Sequence, residues 1–230
     1  MASIVKTAIP ELLQVLSLPL HGCIVTIDAM GTQANIAQAI RDRGADYVLA
    51  VKDNQPTLAD SIRDFFALFQ QAPERTPHTV WESVDKDHGR LETRRCYAFD
   101  ALECLHDAEK WPALASFAVI ESERWIQGKS SIEYRLYISS LPAQAERIAS
   151  AVRQHWAIEN SLHWCMDVVF ADDQMRARTQ HAAHNMAALK HITLNLLRAD
   201  PTARKASLKT KRLLAASSDN YREVLMGFDS

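Results

Sequence analysis

The spacing of apolar residues changes twice along this chain of 230 residues. In residues 1–75, short β-branched apolar runs alternate with segments whose apolar residues recur every three or four positions. That pattern predicts strands alternating with helices. Residues 76–143 mostly alternate apolar and polar positions, which predicts antiparallel strands. From residue 144 the spacing is helical, and we expect one or two helices at 145–169 and further helices near 182–198, 203–215 and 219–227.

The first region predicts a strand–helix–strand unit. Residues 23–27 and 47–51 are apolar and β-branched, and residues 33–41 between them have helical spacing. Such a unit implies a parallel strand pair joined by a right-handed crossover. We expect a short amphipathic helix at 9–18 before it and a helix at 57–70 after it. The aromatic side of that last helix should pack on the sheet through Phe65, Phe66 and Phe69.

The second region predicts strands near 80–81, 90–99, 117–125 and 133–139. Because it separates two parts of an α/β pattern, it is interpreted as an inserted antiparallel sheet. The predicted organisation is therefore a partial α/β core at 1–75, an inserted antiparallel β subdomain at 76–143, core helices at 144–199 and a basic helical tail at 200–230.

Composition adds few constraints. The chain is 47% hydrophobic and 23% charged, which is ordinary for a globular protein. It has no apolar run long enough for a transmembrane helix and no evident signal peptide, so we expect a cytoplasmic protein with no membrane partner. The four cysteines form no Cys-x-x-Cys pair, which argues against a zinc ribbon. We expect each to be a small buried residue in a reducing compartment.

Charge is distributed unevenly along the chain. The net charge is −2, yet residues 174–212 contain nine Lys or Arg residues and one acid, Asp200. A segment of this kind suits contact with a polyanion, and it equally suits a solvated pair of basic helices.

Two acids are the candidates for chemistry. Asp28 follows the apolar strand 23–27, and the carboxyl ends of strands are where α/β sheets place their sites. The alternative is that Asp28 caps a helix or turn. Glu159 lies within His-Trp-Ala-Ile-Glu-Asn-Ser-Leu-His-Trp at 155–164, with His155 and His163 four positions away on either side. These three share one helix face, a spacing unlike that of the zinc metalloproteases. Two such acids, one at a strand end and one on a late helix, can share a divalent cation.

The order of these features, a strand acid, a β insertion, a helix acid and a basic helical tail, resembles a known family. The chain is similar to the DDE transposases of bacterial insertion sequences, in the branch with the H-repeat-associated proteins. The matching segments are TAIPELL (7–13), IVTIDAMGTQ (24–33), DYVLAVKDNQ (46–55), DHGRLETR (87–94), YISSL (137–141), HWAIENSLHW (155–164) and NMAALKHITLN (185–195).

The resemblance implies a ribonuclease-H-like core in which three acids hold two Mg²⁺ (or Mn²⁺) ions for cleavage and transfer of DNA strands. Asp28 matches the second Asp of the family, and Glu159 matches its Glu. The partner would be double-stranded DNA at transposon ends. The residues expected to contact DNA are Lys52, His88, Arg90, Arg94, His155, His163, Arg176 and Arg178. For Lys52, Arg176 and Arg178, the alternative is a side chain that is simply exposed to solvent. For residues 88–94 it is a charged sheet edge that prevents strand pairing.

The sequence departs from the family in two places. Related families carry a Tyr and an Arg before the catalytic Glu, and a Lys after it. At those positions this chain has Val152, His155 and Met166, so the phosphate contacts of the Arg and the Lys are absent in that form. His155 and His163 are the candidates to replace them. Residues 1–27 contain no Asp, and Glu11 is their only acid. We therefore expect an N-terminally truncated core that lacks its first three strands and one metal ligand.

Several functional readings follow from that departure. The first is a weakly active or inactive transposase. The second is a non-catalytic DNA-binding remnant that forms a homodimer or pairs with an intact transposase and interferes with it. The third is the product of a decaying gene. A fourth is a complete small nuclease, whose third acid would be Asp167, Asp172 or Asp173.

Overall fold

The computed structural model describes residues 9, 11–13, 19–87, 90–126, 128–158, 162 and 164–228, with only the backbone of Asp87, Arg90 and Ile158. Within these ranges the chain divides into two compact units, Met1–His155 and Trp156–Ser230. Residues 9 and 11–13 are helical, as expected for the helix predicted at 9–18. The rest of that predicted helix lies outside the described residues.

The first unit is built on one six-stranded sheet with the order β1-β2-β6-β5-β4-β3. The strands are β1 (Ile24–Ile27), β2 (Asp46–Val51), β3 (Thr79–Asp87), β4 (Arg90–Phe99), β5 (Ser116–Ile126) and β6 (Lys129–Ser139). β1 and β2 are parallel, and all other neighbours are antiparallel. The predicted parallel pair and antiparallel strands are confirmed. The inserted strands do not form a sheet of their own, because β6 pairs directly with β2.

Helix α1 (Ala34–Asp42) makes the crossover between β1 and β2. Its apolar residues Ile36, Ala37 and Ile40 are fully buried, as their spacing predicts. The chain leaves the helix through Gly44, whose φ of +72° is a left-handed conformation that favours glycine. This turn returns the chain to β2 beside β1.

Helix α2 (Pro56–Gln71) covers one face of the sheet. The ring of Phe65 lies 5.1 Å from the rings of Phe99 on β4 and Phe117 on β5, both in edge-to-face geometry. Phe66 and Phe69 also contact Phe99. The predicted packing of the aromatic side of this helix on the sheet is therefore confirmed.

Helix α3 (Ala145–Ile158) covers the opposite face. Cys96 alternates along β4 with the inward Tyr97 and Phe99, so its side chain lies on the other face of the sheet. Its thiol is hydrogen-bonded to the backbone of Ala149 on α3, and burial raises the pKa of that thiol to about 12. The N-terminus of α3 is fixed to β3, because the amide of Ala145 donates to Oγ1 of Thr79 at 2.9 Å. The sheet is thus enclosed between α2 and α3.

The second unit contains the helices α4 (Trp164–Phe170), α5 (Ala182–Ala199), α6 (Leu208–Ser217) and α7 (Asp219–Met226). Its small apolar core joins Cys165 and Met166 of α4 to Leu194 of α5. Four other apolar residues of α5, which lie at helical spacing, are exposed: Met186, Leu189, Ile192 and Leu196. In the described ranges, no helix combines the length and the apolarity that crossing a membrane requires.

The segment 145–169, predicted to form one or two helices, contains two in the part of the chain that the structure describes, α3 and α4. One further expectation is corrected. All four cysteines are free, as expected, but only Cys96 and Cys165 are buried; Cys23 and Cys104 are exposed. Cys23 precedes the edge strand β1, which leaves one of its sides uncovered by the described sheet.

Candidate functional site

Asp28 lies immediately after β1, at the end of the sheet where the two parallel strands finish. Its side chain caps a single 3₁₀ turn at Ala29–Gly31, since Oδ1 accepts a hydrogen bond from the amide of Gly31 at 3.3 Å. The residue is exposed. Capping and ligand binding are compatible here, because one long hydrogen bond leaves most of the accepting capacity of a carboxylate unused.

A buried threonine holds the turn that follows Asp28. Thr32 is fully buried, and its hydroxyl lies 3.0 Å from the carbonyl oxygen of Asp28 and 2.7 Å from that of Ala50 on β2. Nε2 of Gln55 donates to the carbonyl of Thr32 at 3.1 Å. These bonds join the segments after β1 and β2, so Asp28 stands on a fixed backbone.

Lys52, a predicted DNA contact, follows β2 at this same end of the sheet and is exposed. Its amide donates to Oδ1 of Asn54 at 3.2 Å, which shapes the turn after β2. Because β1 and β2 are parallel and in register, Lys52 and Asp28 lie at the same end of the sheet.

His155, another predicted DNA contact, is half-buried near the end of α3. Its Nδ1 lies 3.1 Å from Oγ1 of Thr26, a residue of β1 two positions before Asp28. The structure therefore brings the helix of His155 to the strand of Asp28. Sequence reasoning missed Thr26, although a hydroxyl inside the run Cys-Ile-Val-Thr-Ile was the available signal.

Arg94 is enclosed by acids on the outer half of the sheet. Its guanidinium pairs with Asp85 at 2.5 Å and with Glu92 at 2.7 Å. The hydrogen bond from Arg94 is the largest of the influences that hold the pKa of Asp85 below its usual range, and Arg153 adds to it. This geometry matches the alternative of a charged sheet edge, and contact with a phosphate would require Arg94 to exchange these partners.

Arg176 and Arg178 lie in the segment between α4 and α5 and are exposed. Other bases of the segment 174–212 are engaged within the second unit. Lys190 pairs with Asp172 at 2.6 Å, and the buried Lys211 pairs with Asp200 at 3.4 Å. The remaining exposed bases of the segment, apart from Arg198, are Arg204, Lys205, Lys209 and Arg212.

The predicted site residues His88, Glu159 and His163 lie outside the described residues, as does the side chain of Arg90. Within the described part of the chain, no group of three His, Cys, Asp or Glu side chains is arranged to hold a metal ion. Of the possible third acids, Asp172 is paired with Lys190, whereas Asp167 and Asp173 are exposed in the second unit. The exposed carboxylate of Asp28 is a hard oxygen donor, the kind of group that Mg²⁺ and Mn²⁺ prefer.

Comparison with known proteins tests the resemblance. Three relatives from Escherichia coli match most of the chain. "Putative protein YbfL" and "H repeat-associated putative transposase YhhI", both of strain K12, are each 39% identical over 228 residues, which is 96% of this chain and 59% of each relative. "Putative transposase YncI" of strain O157:H7 is 38% identical over 224 residues, which is 96% of this chain and 56% of that protein.

The chain thus spans less than two thirds of the length of these relatives. The model of the family described as "Transposase DDE domain" matches residues 6–196. That range includes Asp28, Glu159 and the whole six-stranded sheet. The chain therefore belongs to the transposase DDE domain family.

Proposed function

We propose that this chain takes part in DNA transposition as a metal-dependent DNA strand-cleaving and strand-transferring protein, acting on transposon ends in the bacterial cytoplasm. Asp28 and Glu159 would be ligands of Mg²⁺ or Mn²⁺ on a ribonuclease-H-like core. The observation that best supports this is the exposed carboxylate of Asp28 on a braced strand end, with the helix that precedes Glu159 hydrogen-bonded to the same strand.

A bound divalent cation would supply an activated oxygen nucleophile and stabilise charge at the phosphodiester. The chain's own residues would do the rest. The hydroxyl of Thr32 holds the backbone of Asp28 against β2, so the point from which the carboxylate projects is fixed. Lys52 would place a positive charge for a DNA phosphate at the same edge. Two of the three acids implied by the resemblance are identified in this chain. We therefore propose that the chain by itself has low activity.

The test is a nicking assay on a duplex that carries a transposon end, with Mg²⁺ or Mn²⁺. We expect slow, cation-dependent nicking that falls to the protein-free level in Asp28→Asn and in Glu159→Gln. Asp42→Asn is the matched control, because Asp42 is an exposed acid on α1 and accepts a hydrogen bond from Gln38 on the same helix. Nicking that persists with a chelator, or that Asp28→Asn leaves unchanged, would refute the assignment of these ligands.

A second candidate is a DNA-binding protein without catalysis, which as a homodimer or with an intact transposase would interfere with transposition. The exposed bases of the segment 174–212 favour it. Its signature would be DNA binding without nicking under either cation. Addition of the chain to an active relative should then reduce strand transfer by that relative, and no reduction would count against it.

A further inference from the structure

Four exposed bases lie at the corner where the chain passes from α5 to α6, which we define as residues 200–212. They are Arg204, Lys205, Lys209 and Arg212. The other two charged residues of the corner, Asp200 and Lys211, are buried and lie 3.4 Å apart. Because the charges of this internal pair cancel, the exposed surface of the corner carries positive charge only.

These four bases are available to a ligand. Among the residues that the structure describes, no acid forms an ion pair with any of them. Other bases of the chain are neutralised, since Lys190 pairs with Asp172 at 2.6 Å and Arg94 pairs with Glu92 at 2.7 Å. An anion can therefore bind at the corner without displacing an acid of the protein.

Asp200 fixes the backbone from which these side chains project. Its carboxylate accepts hydrogen bonds from the amides of Thr202 at 2.8 Å and Ala203 at 3.3 Å, directly before the first exposed base. Nζ of Lys211 donates to the carbonyl oxygens of Leu197 at 2.9 Å and Asp200 at 3.3 Å, which joins α6 to the end of α5. A ligand of the corner has little backbone to order, so binding costs little conformational entropy.

The side chain of Arg212 is also held in place. Its guanidinium carbon lies 5.7 Å from the centre of the ring of Phe170, the last residue of α4. An arginine placed over an aromatic ring keeps its charge and can still donate hydrogen bonds from its edge. Lys209 precedes Arg212 by three positions, so both project from the same side of α6. The helix thus presents two neighbouring bases, and the turn before it presents two more.

We propose that the corner binds the phosphate backbone of double-stranded DNA through Arg204, Lys205, Lys209 and Arg212. The inference rests on the proposed function only for the nature of the polyanion. Bases without interspersed exposed acids suit phosphates, and such contacts position a protein on a duplex without reading its sequence. Residues 200–212 contain no aromatic side chain on which unpaired bases could stack, which favours the duplex over a single strand.

The test measures the binding of the full chain to a labelled duplex of mixed sequence by fluorescence anisotropy, at about 50 to 200 mM salt. Two double variants remove the charges in pairs: Arg204→Gln with Lys205→Gln, and Lys209→Gln with Arg212→Gln. Each should weaken binding about tenfold or more near 100 mM salt, because fewer counterions are released. The slope of log affinity against log salt should fall by about 1.8, since each lost phosphate contact removes about 0.9.

Two controls separate phosphate binding from other effects. Arg204→Lys with Lys205→Arg keeps both charges and should bind DNA within about threefold of the original protein, with the same slope. Arg75→Gln with Lys110→Gln removes two exposed charges of the first unit and should leave the slope unchanged. All these side chains are exposed, so the melting temperatures should not change. If exchanging the two bases costs as much affinity as removing them, charge is not what binds the duplex, and the inference is wrong.

The outcomes also distinguish this inference from the function on which it rests. If the original protein does not bind the duplex at the lowest salt, the proposed action on DNA fails together with the corner. If it binds, and the corner variants behave like the control of the first unit, only the corner is refuted. Unlabelled single-stranded DNA and polyglutamate, at equal concentrations of charge, should displace the labelled duplex less effectively than unlabelled duplex does. Equal displacement by either competitor would overturn the assignment to duplex DNA.

Discussion

The carboxylate of Asp200 has no exposed surface, yet several polar groups contact it. It accepts hydrogen bonds from the hydroxyls of Tyr221 and Thr202, both at 2.6 Å, and from the amide of Thr202 at 2.8 Å. Nζ of Lys211 lies 3.4 Å away and also donates to the carbonyl of Leu197 at 2.9 Å. This network joins the end of α5 to α6 and α7, so a base and an acid of the predicted basic tail stabilise the fold.

Asp200→Asn should reveal this network through the pH dependence of stability. Burial by itself would raise the pKa of Asp200, but the hydrogen bonds from Thr202 and Tyr221 outweigh burial and hold this pKa below its ordinary value. The ionised carboxylate therefore stabilises the folded state fully above pH about 4, and this stabilisation is lost as the pH falls further. Removing the charge at neutral pH would leave Lys211 buried without its acid, at a cost of about 3 kcal/mol.

Thermal unfolding followed by circular dichroism between pH 7 and pH 2 measures both effects. We expect Asp200→Asn to have a lower melting temperature than the original protein at pH 7, with the difference shrinking towards pH 2. Asp173→Asn is the control, because Asp173 is an exposed acid of the same unit. A difference that stays constant over this range would show that the charge of Asp200 does not stabilise the unit.

At the scale of elements, the outer half of the sheet is joined by alternating charges on β3, β4, β5 and β6. Glu92 on β4 is the centre of this ladder, with only 5% of its side chain exposed. It accepts from Arg94 at 2.7 Å and from Arg124 on β5 at 3.1 Å. Arg153 of α3 adds a bond to Asp85 of β3 at 2.8 Å, so the ladder is also joined to a helix.

Arg94→Ala tests whether this arginine serves the sheet or the DNA. Removing one of the two arginines beside the buried Glu92 should lower the free energy of unfolding by about 2 kcal/mol, because a buried carboxylate loses a charged donor. Lys129→Ala, an exposed change on β6, should stay within about 0.5 kcal/mol. Both are measured by chemical denaturation. An unchanged stability together with weaker DNA binding would favour the predicted contact with DNA.

Local patterns along the sequence identified most elements, because apolar spacing reports which face of a strand or helix is buried. Ile36, Ala37 and Ile40 predicted α1, and the phenylalanines of α2 predicted its packing on the sheet. Long-range pairing was not predictable in this way. The hydrogen bond between Thr26 and His155 joins residues 129 positions apart, and the pairing of β6 with β2 depends on backbone groups that every residue shares.

The same limit explains the exposed stripe on α5. Met186, Leu189, Ile192 and Leu196 have helical spacing, but the second unit buries Leu194 and Leu197 of that helix. Spacing alone cannot decide which of two apolar stripes on one helix is covered, since that depends on the neighbouring helices. For the candidate site, the sequence identified Asp28 at its strand end, and the bracing by Thr32 required the structure.

Across the whole molecule, the segment 174–212 holds a net charge of +8 in a chain whose total is −2. The structure divides its bases into two groups. Lys190 and Lys211 are paired with acids, whereas Arg176 and Arg178 are exposed. Only exposed bases can neutralise phosphates without breaking the fold, so the second group is where DNA binding should be sensitive to mutation.

Replacing Arg176 and Arg178 together by glutamine should weaken binding to duplex DNA and flatten its dependence on salt. Each phosphate contact releases condensed counterions, so the slope of log affinity against log salt should lose about 0.9 for each arginine. Fluorescence anisotropy measures this slope at salt concentrations from about 50 to 200 mM. In this range the Debye length is on the order of 10 Å. The matched control replaces Arg75 and Lys110 by glutamine, because both are exposed bases of the first unit and the change in net charge is the same. If the two double variants alter the slope equally, the effect is one of net charge, and Arg176 and Arg178 are not contacts with DNA.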